Sequence, residues 1–112
     1  MEEKIPCKPY IVSEEFNENR KHIYEYSLEM FGYFQAERYL QKIKTSLGTL
    51  PERYLMYPEC RHIPTKSYMY RNIILDAHLI VYRITAERIE VLDIIHSASS
   101  IGKIRGVRKI KL

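Results

Sequence analysis

The chain has 112 residues, 46% of them hydrophobic and 29% charged, with a formal net charge of +4. That length makes one domain, residues 1–112, around a single modest core. Its apolar runs, such as Ile73–Leu75 and His78–Val81, fall far short of the roughly twenty residues that span a bilayer, and the start, MEEKIPCK, has no apolar stretch of a secretion signal, so a cytoplasmic protein with no membrane partner is expected.

Cys7 and Cys60 are too few and too far apart to staple a scaffold, and neither belongs to a C-x-x-C pair. His22, His62, His78 and His96 form no H-E-x-x-H or H-x-H cluster. No metal and no cofactor are expected. The basic charge is concentrated: residues 101–112, IGKIRGVRKIKL, hold Lys103, Arg105, Arg108, Lys109 and Lys111 and no acid, so residues 1–100 carry +4 less +5, or −1. Such a tail attracts phosphate backbones or an acidic partner, and these five residues are the candidate target-binding set. A solvated terminus is the bland alternative.

In chain order, Pro6 to Val12 reads as an edge strand, since Pro6 and Pro9 suit an edge or its approach. Ser13 followed by Glu14 and Glu15 predicts a helix N-terminus, with a hydroxyl cap and acids in the first turn. Phe16, Ile23 and Met30 recur every seven residues, with Tyr24, Ser27 and Phe31 on the same side, so this stripe is read as core and Gly32 as a left-handed cap. Ala36, Leu40, Ile43, Leu47 and Leu50 step by four and three, which predicts a second helix broken by Gly48 and Pro51. The tight junction makes a helical hairpin.

Pro51 to Thr65, with Pro51, Pro58 and Pro64, is expected to be a connecting loop. Three β-rich runs follow, Lys66–Leu75, His78–Ile84 and Ile89–His96, separated by Asp76-Ala77 and Thr85–Arg88. They predict a three-stranded antiparallel meander. The His78 run is apolar on both parities and suits a central strand. The fold class is therefore α+β with the order β-α-α-β-β-β, a helical hairpin on one face of an antiparallel sheet. The other face is expected to stay open for binding, and the tail to add few core positions.

Metal-free RNA cleavage would require a proton-transfer group and cations for the phosphate. The candidate catalytic residues are Arg71, Arg83 and His96, since arginine presents a charged planar fork and histidine titrates near neutrality. Arg83 has Glu87, Glu90 and Asp93 nearby in sequence, and a cross-strand ion pair is its more ordinary fate. The ten tyrosines could stack bases on an open sheet, but more commonly pack half-buried with a wet hydroxyl.

From about Tyr10 to His96 the chain resembles the RelE/ParE superfamily of bacterial toxins. The resemblance rests on a strand, Ser-Glu-Glu-Phe opening a helix, Gly32 followed by QAERYLQKI, a proline-bearing loop, then YRNIIL, HLIVYRI and IEVLDIIH. It implies a toxin of a type II toxin-antitoxin module, of the plasmid-stabilisation type, whose neighbouring gene encodes an antitoxin that wraps over it. RelE-type members, which cut messenger RNA on the ribosome, usually carry an arginine where this chain has Leu79. They also tend to carry an arginine and a tyrosine where it has Ser97-Ala98-Ser99-Ser100-Ile101. ParE-type members, which poison DNA gyrase, share the outline of Arg71, Tyr82-Arg83 and His96, although their arginine-bearing motif after the histidine is missing here. The resemblance thus implies a ParE-like gyrase poison with a cognate antitoxin as partner. A ribosome-dependent endoribonuclease and a non-toxic interaction module are the alternatives.

Overall fold

A computed structural model describes residues 5–112, so the first half of MEEKIPCK lies outside the described residues. The elements run β1 (Tyr10–Val12), α1 (Glu14–Phe31), α2 (Tyr33–Arg53), β2 (Tyr70–Ile74), β3 (His78–Ile84), β4 (Ile89–His96), α3 (Ile101–Gly106) and a 3-10 turn (Val107–Lys109). The sheet order is β1-β4-β3-β2. The β2-β3-β4 meander is antiparallel, as its turns require. β1 joins the β4 edge in parallel, with Tyr10 opposite Ile89 and Val12 opposite Val91, so the sheet is mixed. The β-α-α-β-β-β core of the expected topology stands, with α3 added after it.

Ser13 starts α1 and also anchors it. Its Oγ accepts from the Phe16 amide at 2.9 Å and donates to the Leu92 carbonyl, while its own amide donates to the Val91 carbonyl at 2.9 Å. Leu92 is the extra residue of a β-bulge, since Val81 faces Asp93 and Tyr82 faces Val91. A bulge leaves a carbonyl outside the ladder, and the helix cap satisfies it. Gly32 alone joins α1 to α2 with φ of 88°. A residue with a Cβ would be strained there, although ψ of 174° departs from the expected left-handed helical cap.

α2 does not break at Gly48 or Pro51 but runs to Arg53. Pro51 sits in the last turn, where it removes one intrahelical bond, and burial of Leu50 and Tyr54 on either side of it holds that turn against the sheet. The Pro51 carbonyl accepts from the Lys8 amide at 3.1 Å. β2 begins four residues later than expected. Tyr68, with φ of 54°, turns the chain just before it.

Two cores flank the sheet. On the hairpin side Phe16, Ile43, Leu47 and Leu50 pack on Ile73, Ile80, Tyr82 and Val91. On the opposite side Val81, Leu92 and Ile95 are covered by Ile63, Cys60, Ile104 and Val107. The second face is therefore closed over this patch, and the tail contributes core residues. Ser100 caps α3 by accepting from the Lys103 amide. Ile104 and Val107, three apart, point inward. Lys103, Arg105, Arg108, Lys109 and Lys111 remain exposed outside. Burial also pushes the Cys60 thiol up, which keeps it protonated.

Candidate functional site

α1 is read above as one continuous core stripe, and only its first part is. Phe16 is buried and Ile23 half-buried, but Tyr26, Met30 and Phe31 are exposed, as are Tyr33 and Phe34 at the start of α2, with Phe34 82% exposed. The turn end of the hairpin is thus an aromatic and apolar tip in contact with water. Tyr26 meets Phe31 edge to face, and Tyr33 meets Phe34 likewise. A patch of this kind on a small protein marks an interaction surface.

From that tip a groove of about 590 Å³ runs back to the sheet, with Tyr26 and Phe31 at one end and His78 and His96 at the other. Strand register builds the histidine end. His78 opens β3 and pairs with His96, which closes β4, so their rings meet on one face with centroids 5.6 Å apart. From above, α2 lowers Tyr39 onto the pair, its hydroxyl 2.6 Å from His78 Nδ1. The Ala98 amide donates to His96 Nδ1 at 3.0 Å. A nitrogen that accepts carries no proton, so this geometry belongs to a neutral His96 protonated at Nε2. Burial, and then the nearby His96, hold His78 below the usual histidine range. Burial also raises the Tyr39 hydroxyl, so Tyr39 keeps its proton beside His78, where it can donate to or accept from the ring nitrogen according to the tautomer.

A smaller cleft of about 160 Å³ continues along α1, where His22, His78, His96 and Lys103 converge. Beside its lining residues Asn19 and Ile94, the Asp93 carboxylate accepts from Asn19 Nδ2 and from the Ile94 amide, and burial raises its carboxyl above the usual range.

The three candidate catalytic residues do not meet. His96 lies at the groove. Arg71 pairs with Tyr82, four residues along β3 from the partner of His96, or about 13 Å at about 3.3 Å per residue. Its guanidinium donates to the carbonyls of Tyr57 (2.8 Å), Leu55 and Tyr68 (3.2 Å each), which clips the loop after α2 to the sheet edge. Arg83 lies toward the other face. It reaches Glu90 through Nη2 at 2.6 Å and Nε at 2.9 Å, the cross-strand pair foreseen as its ordinary fate. Burial opposes the charge on Glu90, but the hydrogen bonds and charges of Arg83 and Arg88 outweigh it and hold the carboxyl below its usual range. Arg83 also donates to the carbonyls of Arg108 and Ile110, at 3.4 Å each, tying the tail down.

Of the tail set, Lys103 reaches the groove's lower end, and the others project from the outside of α3 and the following turn. Among the described residues no three His, Cys, Asp or Glu side chains come together as a metal-binding group, and no helix is long and apolar enough to cross a membrane. The candidate site residues named from the sequence include none of His78, His22 and Tyr39. The signal available was that His78 and His96 begin and end adjacent strands of a meander, which makes them cross-strand neighbours.

The family model described as the ParE toxin of the type II toxin-antitoxin system, parDE, matches residues 10–101. No curated protein matches the chain. Among solved structures, the chromosomal ParDE TA system from P. aeruginosa has the same fold, with a TM-score of 0.67 at 15% identity, covering 82% of this chain and 98% of that one. With its β-α-α-β-β-β topology and a family match spanning most of its length, the chain belongs to the ParE toxins of type II toxin-antitoxin modules.

Proposed function

We propose that this toxin is held inactive by an antitoxin segment seated in the histidine-lined groove and over the hairpin tip, and that when released it poisons DNA gyrase. The single observation that carries the antitoxin seat is the continuity of the groove with an exposed aromatic tip, through Tyr26 and Phe31, in a protein of this family. An amphipathic segment would bury that surface. The reading of gyrase rather than messenger RNA is supported by the cations. Leu79 stands where a nuclease of the superfamily carries arginine, and Arg71 and Arg83 are engaged by protein carbonyls and Glu90. Phosphoryl charge building up beside His96 would meet no preorganised guanidinium, which costs orders of magnitude in rate. The target would be met by the exposed cations of the tail, Lys103, Arg105, Arg108, Lys109 and Lys111.

The test is expression of the toxin alone and with the protein of the adjacent gene, followed by assays on purified toxin. Growth arrest relieved by coexpression, inhibited gyrase supercoiling and intact ribosome-bound message are the expected results. Reversing the charge of the tail cations should weaken gyrase inhibition and flatten its salt dependence. Codon-positioned cuts lost in His96→Gln would make it a ribonuclease instead. Unimpaired growth with abundant soluble toxin would make it a non-toxic interaction module.

A further inference from the structure

The groove that this reading gives to the antitoxin is lined by two imidazoles whose Nδ1 atoms already have polar partners, and the backbone partner of His96 can only donate. His96 Nδ1 accepts from the Ala98 amide, and Tyr39 caps His78 Nδ1. Adding a proton to either nitrogen requires that bond to break or reverse. The rings are 5.6 Å apart, so two imidazoliums would also repel one another.

Among the described residues that line the two clefts, none is acidic. From α1 come His22, itself titratable, and the neutral Tyr26, and from α2 the neutral Tyr39. At the turn, Asp76 is paired to Lys42 at 2.9 Å. On β4, Asp93 is bonded to Asn19 and to a backbone amide. From α3, Lys103 lines the same small cleft as both rings and repels a second cation there. The rest of the groove is lined by Ile23, Tyr26 and Phe31 with the uncharged Ser27 and Gln35, and an occupant that buries it removes the water on which an imidazolium depends.

Resting on the antitoxin reading above, we infer that the groove closes on its antitoxin segment only with His78 and His96 neutral, so that binding releases protons and acidification loosens the complex. The occupant is accordingly apolar where it covers the pair and carries no carboxylate there. The free toxin can protonate these rings and the bound toxin cannot, so linkage makes affinity fall with falling pH. The part of the dependence that His78 contributes begins below the ordinary histidine range, because His78 already resists its proton in the free protein.

Isothermal titration of the full-length toxin with the protein of the adjacent gene tests this, using buffers of different ionisation heat between pH 5.5 and 8.5. The Kd should be flat at the alkaline end and rise below it, by up to about tenfold per pH unit for each proton released. His78→Gln/His96→Gln should lose most of the pH dependence, whatever its affinity at pH 7.5. Tyr39→Phe removes the hydroxyl that occupies His78 Nδ1 and should shift the onset. If the double variant does not fold, His96→Gln alone, at an exposed strand end, should halve the proton count.

A flat wild-type profile, an unchanged profile in folded histidine variants, or proton uptake on binding would each overturn the inference while leaving the antitoxin reading in place. Uptake would mean that an acidic residue of the occupant meets the rings. Absence of binding at every pH would overturn both.

Discussion

The two ends of the helical hairpin have similar apolar content and opposite fates. At the base, Phe16, Ile43, Leu47 and Leu50 are buried against the sheet. At the turn, Met30, Phe31, Tyr33 and Phe34 face water. The base is what holds the domain together, whereas the tip gains nothing from being apolar unless something covers it. Apolar periodicity identifies a helix face that can be buried, but whether it is buried depends on whether a sheet lies beneath it. For α1 the sheet supports only the first part.

The largest way to break the comparison lies outside the hairpin. Truncation after Ser100 removes Ile104 and Val107, each worth about 1.5–3 kcal/mol of burial, and uncovers Val81, Leu92 and Ile95. Against the about 5–15 kcal/mol total of a small domain, this should abolish cooperative thermal unfolding. A truncated chain with a sharp transition near that of wild type would show that the opposite face stands without its cover.

The contrast itself is sharpened by matched substitutions at the two ends. Leu50→Ala, at a fully buried site, should cost about 2–5 kcal/mol in urea unfolding. Phe34→Ser should change stability by no more than about 0.5 kcal/mol and yet weaken antitoxin binding at least tenfold. Equal destabilisation at both ends would mean that the tip belongs to the core. Unchanged binding by Phe34→Ser would remove the tip from the antitoxin interface.

The smallest effect concerns Asp93, beneath the base. Burial raises its folded carboxyl above the unfolded value, against the Asn19 and Ile94 bonds. A raised pKa contributes stability that is complete below the unfolded value and lost as pH rises through the folded one. Asp93→Asn, which keeps an acceptor for both bonds, should therefore raise Tm at pH 7 by a few degrees and leave it unchanged at pH 3. A lower Tm at pH 7 would show that the charge is favourable in place.

Most of the architecture is legible in the sequence because local signals agree there. Ser13 with Glu14 and Glu15 marks a helix start, Gly32 a one-residue junction, and Asp76-Ala77 a hairpin turn. Misreadings fall where tertiary contacts override a local rule. Pro51 fails to end α2 because the core holds the turn around it. The basic tail forms α3 because every third residue, Ile101, Ile104 and Val107, is apolar among its cations, and Ser100 caps it, a pattern hidden by the charge. Arg71 and Arg83 could be named as cations, but not the carbonyls and the carboxylate that engage them, since those partners come from loops and a tail placed only by the fold. The groove depended on a register pairing His78 with His96, and on Tyr39 arriving from a different element.

The parallel pairing of Tyr10–Val12 with Ile89–Val91 also governs when this toxin can exist during its own synthesis. The first strand made has no partner until the last one appears, and contacts so distant in sequence slow folding. Ser13, which starts the first helix, likewise waits for the Val91 and Leu92 carbonyls. A nascent chain cannot close its sheet until Val91 has been translated, about eighty residues after its partner Val12. Folding as units during synthesis then leaves the interval of translation for an antitoxin already present to be at hand when the domain first closes.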